Sequence, residues 1–155
     1  SQNINTTLKE AGAFINKYLE IYPKVKEYGD KQIELARQNG YVSTIMGRVR
    51  HIPDINSTNH TVRGFAERVA KNMPLQGSAS DIIKIAMINV FKRFNQENLK
   101  SKLIIQIHDE LVVDCFPGES EKVKNILKQE MENVVNLTVP LIANISEGKT
   151  LYDAK

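Results

Sequence analysis

The sequence predicts an α+β fold with a mainly antiparallel sheet, and three observations lead to this class. Apolar residues recur at helical spacing in five separate stretches. Short β-branched runs flank two turn signals, Met46-Gly47 and His108-Asp109. The strands come in adjacent pairs instead of alternating singly with helices, which favours an antiparallel arrangement over a parallel sheet.

Two helices are predicted at the start of the chain. The first covers roughly residues 7–21, with Asn5 or Thr6 as its N-cap. The second begins at Pro23, because proline suits the first helical turn, and runs to about residue 38. Asn39-Gly40 is a good C-terminal stop.

The middle of the chain predicts a hairpin and then two helices. Residues 41–45 and 48–52 are short strand candidates around Met46-Gly47. A third helix is expected over about 61–71. Met73-Pro74 should break it, because proline lacks a backbone donor, and a fourth helix should run over about 78–94.

The last third predicts a second hairpin, a helix and a strand. Residues 103–113 form two apolar runs that meet at His108-Asp109. An amphipathic helix over about 120–135 has a charged face that is typical of a solvated surface. Residues 139–145 are the final strand candidate.

Composition sets limits on the class of protein. A net charge of +3 over 155 residues is only mildly basic, which falls short of a protein that binds nucleic acid through charge alone. No run approaches about 18 apolar residues, so no membrane span is predicted. The single Cys115 excludes an internal disulfide and a cysteine-based zinc site. We interpret it as a buried, reduced thiol, which fits a cytoplasmic protein.

The tip of the second hairpin carries His108, Asp109 and Glu110. Burying such groups on an apolar hairpin is costly unless something pairs with them, and a divalent cation such as Mg²⁺ is the usual partner. The alternative is a solvated polar turn, in which Asp is common. A nucleophilic triad that includes His108 and Asp109 is the weaker interpretation, because no Gly-x-Ser-x-Gly elbow is present.

A second group of polar residues steps by four: Arg68, Asn72 and Gln76. On one continuous helix they would line a single face, but Pro74 should interrupt that helix, so the alignment is approximate. Such side chains could donate to the purine N3 and pyrimidine O2 acceptors of the DNA minor groove without reading sequence. The alternative is an ordinary surface on which Glu67 pairs with a nearby cation. Other basic residues could touch phosphates or be simply solvated: Arg48, Arg50, His51, Lys71 and Lys84.

Four blocks in fixed order resemble a known family. They are residues 40–48 (GYVSTIMGR), 52–55 (IPDI), 66–84 (AERVAKNMPLQGSASDIIK) and 106–112 (QIHDELV). The chain is similar to the C-terminal third of the polymerase domain of family A DNA polymerases, of the bacterial DNA polymerase I type. The resemblance covers essentially the whole sequence.

The resemblance implies a function and a set of site residues. Asp109 matches the metal-binding aspartate of motif C, Glu110 its acidic neighbour, and His108 a histidine close to the primer terminus. Arg68, Asn72 and Gln76 match residues on the minor-groove side of the nascent pair and the template-primer. Arg63 matches a basic residue near the DNA backbone. The implied cofactor is Mg²⁺, as two ions, and the implied partners are primer-template DNA and deoxynucleoside triphosphates.

The implied reaction is attack of the primer 3′-hydroxyl on the α-phosphate of an incoming nucleotide, in DNA replication or repair. Residues 1–59 would belong to the fingers side and residues 60–155 to the palm. The family's second metal-binding aspartate, in a run like Asp-Tyr-Ser-Gln-Ile-Glu, does not occur here. We therefore expect an incomplete fragment that does not synthesise DNA by itself.

Two other functions stay open at this point. A non-catalytic nucleic-acid-binding module would show affinity that falls steeply with salt. A single-metal phosphohydrolase using His108, Asp109 and Glu110 would show Mg²⁺-dependent hydrolysis. We also expect the fragment to self-associate through exposed strand edges; a monomer by sedimentation at high concentration would contradict this.

Overall fold

The structure, a computed structural model, describes residues 7–154, apart from the side chain of Leu8. The chain divides into two compact units, Ser1–Gly77 and Ser78–Lys155. The predicted division between residues 59 and 60 concerns functional subdomains and stays a prediction. The elements in chain order are α1 (Leu8–Ile21), α2 (Pro23–Asn39), β1 (Tyr41–Ser43), β2 (Val49–His51), a 3₁₀ turn (Pro53–Asn56), α3 (His60–Gln96), β3 (Lys102–Ile107), β4 (Glu110–Asp114) and α4 (Ser120–Glu132).

Helix α1 begins with a capping box at Thr7. The Thr7 hydroxyl accepts from the backbone N–H of Glu10, and the Glu10 carboxylate accepts from the Thr7 N–H at 2.9 Å. The predicted extent of the helix is confirmed. The predicted caps, Asn5 and Thr6, lie outside the described residues.

Helix α2 begins at Pro23 and ends where the sequence predicts. Gly40 has a φ of +77°, and its N–H donates to the carbonyl of Ala36 at 2.8 Å. A residue with a Cβ would be strained in this left-handed conformation, which is why glycine ends the helix here.

The hairpin β1–β2 is antiparallel, with Val42 opposite Arg50. Its turn depends on Gly47, at a φ of +80°, and on the buried Thr44. The Thr44 hydroxyl accepts from the backbone N–H groups of Met46 and Arg48 at 3.3 and 3.1 Å. The hairpin predicted around Met46-Gly47 is therefore confirmed.

The prediction of two helices separated by Met73-Pro74 was wrong, because α3 is one helix from His60 to Gln96 with Pro74 inside it. A proline in a helix interior costs about 3 kcal/mol, since it removes one hydrogen bond and crowds the carbonyl four residues earlier. Here the preceding turns of α3 are packed into the core through Ala66 and Ala70, which are 2% and 0% exposed. Tertiary packing of this kind overrides local propensity.

The core of the first unit lies where α2, the hairpin and α3 meet. Its buried residues are Ala36, Val42, Ile52, Ile55, Ala66 and Ala70, and Ile33, Val69 and Met73 pack against them. The turn of the hairpin approaches α3 closely at Gly77. A Cβ added at Gly77 would lie 2.6 Å from the Cγ2 methyl of Thr44. Only glycine therefore fits at this position without displacing the turn.

The second unit contains the antiparallel hairpin β3–β4, in which Ile107 lies opposite Glu110, and an irregularity between Leu103 and Ile105. Its core joins the later turns of α3 to α4. The buried residues are Val90, Phe94, Val123, Ile126 and Leu127, with Leu99, Leu111, Val113 and Ile145 against them. Helices and two small antiparallel sheets agree with the predicted α+β class.

The base of the β3–β4 hairpin is held by the carboxylate of Glu119. It accepts from the backbone N–H of Lys100 at 3.0 Å, from the N–H of Ser101 at 2.9 Å and from the Ser101 hydroxyl at 2.6 Å. The N–H of Phe116, beyond β4, donates to the same hydroxyl at 2.9 Å. These donors, first the Lys100 N–H and then the Ser101 hydroxyl, lower the pKa of Glu119 below its usual 4.5.

The strand predicted over residues 139–145 was wrong. The segment has no regular secondary structure, although burial alternates along it, with Leu141, Ala143 and Ile145 partly buried. Val139 and Ile142, however, are 73% and 75% exposed. A ladder needs a neighbouring strand, and none of the strands within residues 7–154 pairs with this segment.

The expectation of a buried thiol was also wrong, because Cys115 is exposed. Strand β4 ends at Asp114, so Cys115 lies just beyond the apolar part of the hairpin. None of the helices in the described part of the chain is long and apolar enough to cross a membrane.

We predict that Gly77→Ala destabilises the chain by about 1–3 kcal/mol, because the added methyl group overpacks the contact with Thr44. The control is Gly12→Ala, since an added Cβ at Gly12, within α1, meets nothing within 4 Å. That substitution should stabilise by about 0.5–1 kcal/mol. Urea unfolding of the 155-residue chain measures both. Equal effects of the two substitutions would contradict the packing argument.

We predict that Glu119→Gln weakens the dependence of stability on acidic pH. Because the folded-state pKa of Glu119 lies below its usual value, its carboxylate contributes stability above about pH 4.5 and loses it as the pH falls through the folded pKa. The melting temperature of the unsubstituted chain should therefore drop further than that of the variant between about pH 5 and pH 3. If the melting temperatures of the two proteins fell equally across this range, Glu119 would provide no such charge-dependent stabilisation.

Candidate nucleic-acid interface

One face of α3 carries Arg68, Asn72 and Gln76, and all three side chains are exposed. Because the helix is continuous, residues four apart lie nearly above one another, about 6 Å apart along the axis. The three positions therefore form a row of polar groups about 12 Å long. The sequence predicted this row only approximately, since it expected Pro74 to interrupt the helix.

The β1–β2 hairpin supplies the opposite wall of an open cleft beside this row. The cleft has a volume of about 630 Å³ and is lined by Arg48, Val49, Arg50, Phe65, Arg68, Val69, Asn72, Met73, Gln76 and Gly77. Every one of these lining residues is described, and none of them is acidic. Three arginines therefore give the cleft a positive potential that suits an anionic ligand.

At one end of the cleft, Arg68 lies against an aromatic ring. Its Cζ is 5.8 Å from the centre of the Phe65 ring, within the range of a cation–π contact. The ring itself is 60% exposed. Sequence reasoning missed Phe65 as a lining residue of the cleft, although its position three residues before Arg68 places it on the same side of the helix.

Two charged residues next to this row, Glu67 and Lys71, contact α2 and do not line the cleft. Glu67 forms an ion pair with Arg37 on α2 at 2.7 Å, as the alternative interpretation of Glu67 expected. The stem of Lys71 lies over Gly29, since a Cβ added there would be 3.3 Å from the Lys71 Cδ atom. Both side chains therefore contribute to the packing of α2 on α3.

Arg63 lies one turn before Glu67 and is partly buried. Its Nη1 atom donates to the carbonyl of Ser57 at 2.9 Å, which ties the loop before α3 to the helix. Asn59 adds to this connection, because its side-chain oxygen accepts from the Thr61 N–H at 3.0 Å. The role of Arg63 near a DNA backbone stays a prediction.

In the second unit, His108 and Asp109 are the two residues that join β3 to β4. His108 has a φ of +52°, and its carbonyl accepts from the Gln106 side-chain amide. The structure does not bury the tip, because His108, Asp109 and Glu110 are all exposed. A two-residue turn projects beyond its strands, so these groups avoid the desolvation cost that the sequence suggested.

Asp109 and Glu110 provide oxygen donors of the kind that Mg²⁺ prefers. Among residues 7–154, no three His, Cys, Asp or Glu side chains come together in a group that could hold a metal ion. The tip therefore fits a hard cation in donor chemistry but supplies only part of a coordination shell. Exposed neighbouring carboxylates also leave room for phosphate oxygens and water as further ligands.

Comparisons with known proteins show the family to which the chain belongs. The family model described as DNA polymerase family A matches residues 1–153. The chain is 52% identical over 155 residues to DNA polymerase I of Caldicellulosiruptor bescii and 46% identical to that of Geobacillus stearothermophilus. Both alignments cover all of this chain and 18% of the relative. The chain thus spans about a fifth of the length of these relatives.

A solved structure shares the fold as well. It is the polymerase domain of Pol1 from M. smegmatis, in complex with DNA primer-template and dNTP, with a TM-score of 0.86 and 38% identity. The match covers 90% of this chain and 25% of that one. Sequence and fold agree over nearly the full length, so the chain belongs to DNA polymerase family A.

Proposed function

We propose that this chain is the part of a DNA-directed DNA polymerase that holds the primer-template duplex and contributes carboxylates to the reaction centre. The observation that carries the proposal is the cleft, in which Arg68, Asn72 and Gln76 on one unbroken helix face Arg48 and Arg50. The Pol1 relative, whose structure contains primer-template DNA and dNTP, supports the same assignment. Residues 1–59 then belong to the fingers side and residues 60–155 to the palm.

The row on α3 suits the minor groove of a duplex. Every correct base pair presents acceptors there, at purine N3 and pyrimidine O2. Arg68 and Gln76 donate to such acceptors, and Asn72 can do so from the position between them. A mispaired base shifts these acceptors, so the row senses pair geometry without preferring a sequence. A base pair of correct geometry aligns the groups that react.

The arginines of the cleft suit the backbone of the nucleic acid. Arg50 on β2 and Arg68 on α3 present guanidinium groups, whose planar fork matches phosphate oxygens. Contacts of this kind position a duplex but carry no sequence information. Affinity should therefore depend on salt, because each neutralised phosphate releases counterions.

In the reaction that we propose, the primer 3′-hydroxyl attacks the α-phosphate of a deoxynucleoside triphosphate and pyrophosphate leaves. Asp109 and Glu110 would hold Mg²⁺, which supplies positive charge to the phosphates when bound. His108 lies beside them in the turn and would contact the primer terminus. The exposed tip leaves these groups accessible to the end of a duplex.

The remaining expectations from the sequence also stay proposals. The isolated chain would not incorporate nucleotides, and the intact protein would act in the cytoplasm. Self-association of the fragment is supported by apolar side chains on β3 and in the unpaired segment, because Ile104 is 54% and Ile142 75% exposed.

We predict that Arg68→Ala and Gln76→Ala, made in the full-length protein, each weaken duplex DNA binding by about tenfold, the loss typical of one good groove contact. The matched control is Arg37→Ala, because Arg37 is also an exposed arginine but pairs with Glu67 outside the cleft. Fluorescence anisotropy with labelled duplex gives the affinities. If Arg37→Ala weakens binding as much as Arg68→Ala, the cleft is not the duplex site.

We predict that Asp109→Asn in the full-length protein lowers nucleotide incorporation by more than about 100-fold, because an amide loses the charge that a cation requires. Primer-template affinity should stay within about twofold, since Asp109 lies outside the cleft. Asp114→Asn is the control: Asp114 is an exposed aspartate at the end of β4 that is farther from the turn, opposite Lys102. Single-turnover primer extension measures the rate, and near-normal incorporation by Asp109→Asn would refute the assignment.

A further inference from the structure

Phe65 is an unusual residue for the place it occupies. Its ring is 60% exposed, yet it lines a cleft that also contains three arginines and two carboxamides. A benzyl group cannot donate to or accept from a phosphate or a base edge, so the polar recognition described above does not use it. What it offers is an apolar π face inside a positively charged cleft.

That face is open to a ligand. The guanidinium of Arg68 lies 5.8 Å from the ring centre, close to the outer limit of a cation–π contact. At this distance Arg68 does not cover the ring, which agrees with the 60% exposure of Phe65. An aromatic ring flanked by arginines is the arrangement that binds single-stranded nucleic acid, because every base has a π face.

If α3 runs along the axis of the bound duplex, the spacing along this helix indicates which nucleotide would reach the ring. Phe65 lies three residues before Arg68, or about 4.5 Å along the helix axis. This is close to one base step of about 3.4 Å. Arg68, Asn72 and Gln76 span about 12 Å, or three to four base steps. Phe65 therefore continues the same row by roughly one nucleotide.

A nucleotide within a duplex cannot use this surface, because both faces of its base are already stacked on neighbours. We propose that Phe65 stacks against an unpaired template base next to the duplex held by Arg68, Asn72 and Gln76, with Arg50 contacting the phosphate of that strand. The inference rests on the proposed function and adds a binding site for the single-stranded template. Since stacking does not read base identity, the site would accept any template sequence.

The experiment compares two DNA probes bound by the full-length protein. One is a primer-template with a five-nucleotide single-stranded template extension. The other is the same duplex with blunt ends. Phe65→Ala should weaken binding of the extended probe by about tenfold and leave blunt-duplex binding within twofold. Phe65→Trp should retain both affinities, and the fluorescence that its indole adds should be quenched by the extended probe but not by the blunt duplex.

The matched control is Phe91→Ala, because Phe91 is the same side chain, lies on the same helix and is also 60% exposed, but does not line the cleft. It should change neither affinity. Equal losses on both probes from Phe65→Ala, or no loss on either, would overturn the inference. If Arg68→Ala weakens duplex binding while Phe65→Ala leaves the preference for the extended probe intact, only the stacking site fails. If Arg68→Ala has no effect on the duplex, the proposed function fails and the stacking site with it.

Discussion

The methyl group of Thr44 occupies the space that a side chain at position 77 would need. This contact sets the distance between the β1–β2 turn and α3, and with it the width of the cleft. The Thr44 hydroxyl is used at the same time, because it accepts two backbone N–H groups of the turn. One buried threonine thus determines both the shape of the turn and its position on the helix. Arg48 and Arg50 face the α3 row because of this packing.

The two groups of polar residues in this chain are stabilised in different ways. The cleft residues project from a helix and a hairpin whose buried faces form the core of the first unit, so packing holds their backbone in place. The tip of β3–β4 has less support, since its side chains are exposed and the hairpin is fastened at its base by Glu119 and Ser101. Under the proposed function, a duplex would meet a preformed surface in the cleft, whereas the tip carboxylates would need further ligands to complete the coordination of a cation.

Local signals in the sequence predicted the ends of α1 and α2 and both hairpins, because capping residues, glycines and paired β-branched runs act over a few positions. Pro74 was misinterpreted, since the packing of Ala66 and Ala70 that keeps α3 helical is tertiary. The strand prediction for residues 139–145 failed for a related reason. Alternation of apolar and polar residues predicts an extended segment, but it does not show whether a partner strand exists. The row of Arg68, Asn72 and Gln76 was predicted from spacing. Phe65 was overlooked because only the folded structure places it in one cleft with Arg48 and Arg50.

The left-handed backbone conformation of His108 would influence attempts to stabilise this hairpin by mutation. A residue with a Cβ costs about 1 kcal/mol in that conformation, and glycine would remove the penalty. A search for heat-tolerant variants would therefore tend to select glycine at position 108. It would discard the imidazole next to Asp109 and Glu110 in the process. Under the proposed role of His108 at the primer terminus, selection for robustness and selection for activity would diverge at this single turn.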